Sequence, residues 1–272
     1  MIQRTGVLEV GGSWRNTGVM CGRYALTTPV EAMRRLFRFV GPALNLRPRW
    51  NVAPTQDAPV VRLGAGGGRE LAALRWGLVP YWAEDPSIGG KMINARAETV
   101  ATKPAFRAAY KARRCLVPAD GFYEWQIVGP ARPKLPVLFR LKDGAPFAFA
   151  GLWERWVPPE GGALETFAII STNANEIMAQ FHHRSPVVVA PESYEQWLDP
   201  KADAANLLRA SPSEWWQAIR VSTWVNDARH DDEKCIEPIG EGATIEIAAK
   251  PENAGKSAAK SKKKDGRQAS LF

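Results

Sequence analysis

Seven short runs of β-branched, aromatic and other apolar residues, none longer than seven positions, set the limits on what this chain can become. They fall at 59–63, 70–76, 114–118, 135–141, 147–153, 166–171 and 186–190, and most are bounded by Gly or Pro. Runs of that length with such boundaries read as strands joined by turns. Helical signals are fewer. A helix is expected over 29–37, with Thr28 as candidate N-cap and Pro29 at the first position, and further helical stretches at 103–112, 193–198 and 202–210. No internal repeat is evident. The pattern predicts an α+β fold: a single domain around a curved, mainly antiparallel β-sheet or barrel with peripheral helices.

The ends of the chain have a different character. Residues 1–19 contain scattered charges and no continuous apolar segment, so they do not read as a signal peptide. They are expected to be a disordered leader, or sequence lying before a true start at Met20. Residues 20–247 form the expected folded domain. Residues 248–272 change to Lys, Ala, Ser and Gly and cannot bury enough surface to fold, which predicts a disordered basic tail.

Of the net charge of +8, the segment 250–272 contributes +5, with seven basic against two acidic residues. The body is therefore nearly neutral, and any nucleic-acid contact there must come from placed arginines rather than a general basic field. Three cysteines (Cys21, Cys115 and Cys235) form no metal-ligand spacing, and their odd number argues against a disulfide framework. No metal and no cofactor is expected. No apolar run is long enough to span a bilayer. The expectation is a monomer in a reducing cytoplasm.

Met20-Cys21 opens the run Met20-Cys21-Gly22-Arg23-Tyr24. If Cys21 becomes the N-terminal residue, its α-amine and thiol can condense together with an aldehyde into a thiazolidine ring, which an internal cysteine cannot do. The α-amine, with an ordinary pKa of about 8, is partly unprotonated at neutral pH. A buried structural cysteine is the plainer reading of a lone Cys.

Five further clusters accompany it. Arg49-Trp50-Asn51-Val52-Ala53-Pro54 reads mostly as a structural turn. In the segment 74–82, Trp76 suits the core, while Trp82, after Pro80, could stack an unpaired base. In Asn94-Ala95-Arg96, the amide offers donor and acceptor and the guanidinium a fork for phosphate oxygens, although an ordinary surface turn fits as well. Glu124, between Tyr123 and Trp125 in a strand-like run, sits where desolvation raises a carboxyl pKa and suits it to proton exchange, unless it faces solvent. His182-His183-Arg184 precedes an apolar run. Adjacent histidines point apart, which disfavours a metal, so a proton-handling imidazole beside a phosphate-binding Arg184 is the better reading.

In this order and spacing, Met-Cys-Gly-Arg-Tyr at 20–24, Trp-Asn-Val-Ala-Pro at 50–54, Arg-Trp-Gly-Leu-Val-Pro at 75–80, Ile-Asn-Ala-Arg-Ala-Glu-Thr at 93–99, Asp-Gly-Phe-Tyr-Glu-Trp at 120–125 and His-His-Arg-Ser-Pro at 182–186 resemble the SRAP family. These are the abasic-site processing proteins, also called SOS-response-associated peptidases. The resemblance implies a sensor of abasic sites in single-stranded DNA that crosslinks through its N-terminal cysteine. Carried over motif by motif, it implies Cys21 as nucleophile with Asn94, Glu124 and His182 completing the site. It implies Arg23, Arg96 and Arg184 on flanking phosphates and Thr172 as a hydrogen-bonding neighbour. A lyase side activity and self-removal of whatever precedes Cys21 belong to the same expectation.

Two other classes stay open on the residues alone. One is an N-terminal-nucleophile cysteine hydrolase or amidase, with Glu124 or His182 as base. The other is a non-catalytic single-strand DNA-binding module. Separately, Gln268-Ala269-Ser270-Leu271-Phe272 resembles the pentapeptide that binds the bacterial sliding clamp, with Gln268, Leu271 and Phe272 as the contact residues and the Lys-rich segment as a tether. A solubilising tail is the plainer alternative.

Overall fold

The computed structural model describes residues 22–42, 44–126, 134–240 and 242–245. The expected leader at 1–19 and tail at 248–272 lie outside them. The described residues form an α+β fold, mainly antiparallel, with three short α-helices at its periphery: α1 (Val30–Phe37), α2 (Arg107–Ala112) and α3 (Tyr194–Leu198).

Five of the expected runs close on themselves. The strands are β3 (Asp57–Leu63), β4 (Arg69–Trp76), β6 (Arg114–Ala119), β9 (Phe147–Trp156) and β10 (Leu164–Asn173). β3 pairs antiparallel with β4 and β6, β6 with β9, and β9 with β10, while β10 returns to β4 in parallel through Phe167 beside Trp76. The ring has no free edge among these five strands, so their backbone groups are not left as a template for another chain. β5 (Asn94–Arg96) adds to β10 in parallel and β11 (Arg184–Pro186) adds to it antiparallel, both at the Ile169–Asn173 end. β12 (Val188–Val189) pairs with β9.

A second sheet, in the order β13 (Trp216–Arg220), β8 (Leu135–Leu141), β7 (Gly121–Gln126), β1 (Tyr24–Leu26) and β2 (Arg49–Val52), lies against the barrel. The chain passes from barrel to second sheet at Asp120, between β6 and β7. Aromatic rings fill the space between the sheets. Phe122 meets Phe149 edge-on at 5.9 Å, Tyr24 meets Phe149 at 5.9 Å, and Phe147 meets Trp216 at 5.1 Å. Edge-to-face pairs at these separations add to the free energy of burying the rings.

Several expectations are corrected. Thr28 does not cap α1. Pro29 holds that position, and both Thr27 and Thr28 give their backbone N–H and hydroxyl to the Asp120 carboxylate, with Thr28 N at 2.8 Å and Thr28 Oγ1 at 2.5 Å. The helix expected at 103–112 begins only at Arg107, after a turn in which Phe106 N donates to Lys103 O. At 202–210 there is only a 3-10 turn, Ala205–Leu207, because the Asp203 carboxylate takes the Ala205 N–H at 2.9 Å. The run 186–190 is two strands rather than one. Val187 N still bonds Ile170 O, but Val188 has moved to Phe149 on β9. Arg49–Val52, read as a turn, is strand β2, and β1, β5 and β13 carried no strand expectation.

Candidate functional site

β1 is short, but both its edges are used. Tyr24 sits opposite Val52 on β2 and Phe122 on β7, and Tyr123 N donates to Arg23 O at 3.0 Å. Continuing this antiparallel register sets Gly22 opposite Glu124. Glu124 shares the face of β7 that carries Phe122, which turns inward, and only 7% of it is exposed. A carboxylate there on an otherwise apolar strand face is costly unless it is partnered, and Glu124 does have an interaction partner. Cys21 lies outside the described residues, one position before Gly22.

The neighbours of His182 and Asn94 in the chain are anchored in the aromatic core. Phe139 stacks on Phe122 at 5.2 Å and meets Phe181, the neighbour of His182, edge-on at 5.3 Å. Tyr24 meets Trp76 at 5.3 Å, and the Trp76 indole donates to the carbonyl of Ile93, the neighbour of Asn94, at 3.0 Å. His182 is 4% exposed and stacks on His183 at 4.4 Å. Its Nδ1 accepts the Arg184 N–H at 3.0 Å, which assigns the proton of the neutral ring to Nε2. Such a ring can hand over a proton from a fixed position.

The loop from Gly77 to Ile93 that delivers Asn94 is tied down at both ends. Gly77 N donates to Phe167 O at 2.8 Å and Leu78 N to Met92 O at 3.1 Å. Gly77 has φ +127°, and a Cβ there would stand 2.6 Å from the Gly89 carbonyl, so only glycine fits. In this loop Tyr81 and Trp82 are 61% and 48% exposed.

The three arginines differ sharply. Arg96 is exposed and forms no ion pair among the described residues. Arg23 is turned inward: its Nη1 donates to Asn51 Oδ1 and Val225 O, both at 2.9 Å, and its guanidinium lies 5.9 Å over Trp125. Burial pulls it below the usual arginine range, an effect that Asp227 partly offsets. Arg184 is gripped by Glu98 in a two-point ion pair, Nη1 to Oε1 at 2.6 Å and Nη2 to Oε2 at 2.9 Å, and this hydrogen-bonded charge holds the Glu98 carboxyl below the usual carboxylate range. Thr172 is buried in β10 opposite Ser185. Gln268, Leu271 and Phe272 lie outside the described residues.

Three polar residues matter here that carried no role in the sequence. Asn51 is fully buried and gives its amide N–H groups to the carbonyls of Val225, Asp227 and His230 at 3.2, 3.0 and 2.7 Å. Asp231 takes the N–H of Trp50 and Asn51 at 2.6 and 2.9 Å and the Arg49 guanidinium. Glu98 is the third. Reading 49–54 as a turn hid the role of Asn51, since a buried amide needs partners and its partners lie more than 170 positions away. Among the described residues no cluster of His, Cys, Asp and Glu could hold a metal ion, and no helix is long and apolar enough to cross a membrane.

This chain is similar to known proteins in both sequence and fold. The chain belongs to the SOS response associated peptidase (SRAP) family, whose model matches residues 20–228. It is 40% identical over 225 residues to the abasic site processing protein YoqW of Bacillus subtilis, covering 80% of this chain and 99% of that protein. It is 34% identical over 236 residues to the abasic site processing protein HMCES of Gallus gallus, covering 75% of this chain and 70% of that protein. A solved phage-related protein of Bordetella bronchiseptica superimposes with a TM-score of 0.61 at 30% identity, covering 74% of this chain and 94% of the other.

Proposed function

We propose that this chain recognises abasic sites in single-stranded DNA and captures them covalently through Cys21 once that residue is N-terminal. The family membership and the names of the relatives support abasic-site processing. The observation that carries the chemistry is the register that sets Gly22, the residue after Cys21, opposite the buried Glu124.

An abasic sugar is a cyclic hemiacetal that must open before it can react. In the proposed sequence His182 Nε2–H hydrogen-bonds the sugar ring oxygen while that oxygen takes a proton from water and the C1′ hydroxyl gives one back to water, so that the ring opens and the aldehyde appears. The Cys21 α-amine adds to C1′. Glu124 takes a proton from nitrogen and returns one to the departing hydroxyl, so that water leaves and a Schiff base remains. The Cys21 thiol then adds across the C=N bond: sulfur joins carbon, the thiol proton ends on nitrogen, and a thiazolidine closes. The sum is aldehyde plus aminothiol giving thiazolidine and water. If the Schiff base instead loses a proton from C2′, the C3′–O bond breaks and the strand is cut, which is the lyase branch. Asn94 orients the sugar, and Arg23, Arg96, Arg184 and Thr172 line the DNA path. The amine step requires that nothing precede Cys21, so self-removal of the preceding residues belongs to the proposal.

Protein started at Met20, incubated with a single-stranded oligonucleotide bearing one abasic site, should give a heat-stable, slower band on a denaturing gel. Cys21→Ala should give none. Absence of adduct with the unsubstituted protein rejects the reading, and turnover of a simple amide instead would favour a cysteine hydrolase. The second part of the proposal concerns Gln268, Leu271 and Phe272 as a docking peptide for a sliding clamp. Capture on immobilised clamp should be lost when the last five residues are removed, and equal capture ends that idea.

A further inference from the structure

Arg184 has five N–H donors, and four are used inside the protein. Nη1 serves Glu98 Oε1 at 2.6 Å and Asn173 Oδ1 at 3.3 Å. Nη2 serves Glu98 Oε2 at 2.9 Å and Ser171 O at 2.7 Å, with Ser171 Oγ at 3.2 Å. The fifth, Nε, is buried without an acceptor among the described residues. An arginine so occupied has nothing to offer a DNA phosphate while Glu98 stays in place.

Glu98 is the movable partner. It stands on the turn directly after β5, and its side chain is 45% exposed against 12% for Arg184, so it can swing into water without opening the core. The three residues tying Arg184 to β10 and Glu98 differ in the same way. Ser171 and Asn173 belong to a barrel strand, and only Glu98 is held by a turn. Two residues earlier Arg96 is exposed, and its positive charge reaches the Glu98 carboxylate.

We propose that Glu98 is a gate for DNA: in the free protein its carboxylate occupies the place on the Arg184 fork that a backbone phosphate takes when single-stranded DNA binds. The inference rests on the DNA reading above and names a residue that tunes it. A carboxylate and a phosphodiester present two oxygens to a guanidinium at similar spacing, so the exchange is ion for ion. Arg96, exposed and without an ion pair among the described residues, holds one phosphate first and so raises the local concentration of the next one at Arg184. Isolated anions lack that second foothold and leave the gate shut. The consequence is a site that prefers a continuous phosphate backbone to scattered negative charge.

The test uses a short oligothymidylate without an abasic site, so that no covalent step enters. In Glu98→Gln the fork is freed. Its log affinity should fall more steeply with log salt, by about 0.7, because the phosphate at Arg184 no longer displaces a carboxylate and counts as one full single-strand contact, which corresponds to about fivefold tighter binding at 0.1 M salt. The double variant Glu98→Gln with Arg184→Gln should lose that gain. Unchanged slope and affinity in Glu98→Gln overturn the gate, as does weaker binding. A second measurement needs no substitution. The Arg184 Nε–H resonance of the unsubstituted protein should shift on titration with the oligonucleotide, and an Arg184 signal that stays still while Arg96 moves also overturns it. If the unsubstituted protein does not bind the oligonucleotide at all, the failure lies with the DNA reading itself.

Discussion

Arg23 Nη1 donates to Asn51 Oδ1 at 2.9 Å, and through this bond the entry of β1 is fastened to the loop at residues 225–230. The same guanidinium reaches Val225 O, and Trp125 Nε1 reaches Asn226 Oδ1 at 2.7 Å. Cys21 is two residues before Arg23, so the strand that follows it is held by residues outside the proposed catalytic set. Arg23 thus has a holding role in the fold, apart from the phosphate contact proposed for it.

Asn51→Ala removes the centre of that network. It leaves the part-buried carbonyls of Asp227 and His230 without the amide and takes one acceptor from Arg23, while Val225 O keeps the Arg23 guanidinium. A loss of about 2–4 kcal/mol is expected, since each unsatisfied buried group costs on the order of 1–3 kcal/mol and local relaxation recovers some of it. Urea unfolding of the variant beside the unsubstituted protein measures this directly. A change below about 0.5 kcal/mol, the range of ordinary surface substitutions, would mean that the loop is held by other contacts.

Asp120→Asn addresses the corner between barrel and second sheet. The aspartate accepts four hydrogen bonds from Thr27 and Thr28, two of them from backbone N–H groups at the start of the turn into α1. An asparagine turns one acceptor oxygen into a donor that faces the Thr donors, so about 2–3 kcal/mol should be lost. Asp120→Ala should be no worse by more than about 1 kcal/mol, because the lost charge and the lost acceptors are already most of the effect. Equal stability of Asp120→Asn and the unsubstituted protein would reject the brace.

How much of this was legible in the sequence depended on the reach of each interaction. β3, β4, β6, β8, β9 and β10 were visible because each carries its own apolar run and most of those runs have a Gly or Pro boundary. β1 and β5, of three residues each, are too short to show a period, and they exist as strands only because β7 and β10 offer an edge. Trp82 could be read as exposed from the Pro before it. The grip of Glu98 on Arg184 could not, since it joins positions 86 residues apart, and no local pattern marks which carboxylate an arginine will meet. The inward turn of Arg23 escaped for the same reason.

Alkaline pH should weaken the fold through Cys115. Burial pushes this thiol far above its usual range, so the folded chain keeps the proton while the unfolded chain releases it near pH ~8.5. The unfolded state therefore binds fewer protons above that pH, and stability falls as pH rises, by up to about 1.4 kcal/mol per pH unit. Tyr123, also raised by burial, adds a similar loss above about pH 10. Cys115→Ala should start less stable at pH 7 from lost packing, and its deficit should shrink above pH ~8.5 because it has no thiol to ionise. Parallel stability curves for the two proteins between pH 7 and 10 would show that the thiol does not contribute.

Trp82 tests the stacking surface apart from the ionic one. It is about half exposed in the 77–93 loop, beside Tyr81, so Trp82→Ala should change stability by less than about 1 kcal/mol. Loss of a base-stacking ring should nevertheless weaken binding of intact single-stranded DNA by about 1–3 kcal/mol. Because a neutral ring releases no counterions, the slope of log affinity against log salt should stay where it was, in contrast to the steeper slope expected for Glu98→Gln. Trp76→Ala is the opposing control: that indole is fully buried and bonded to Ile93 O, and its truncation should cost about 3–5 kcal/mol of stability. Fluorescence titrations at several salt concentrations, paired with urea unfolding, separate the two cases. An unaltered affinity in a stable Trp82→Ala variant would remove this tryptophan from the DNA path.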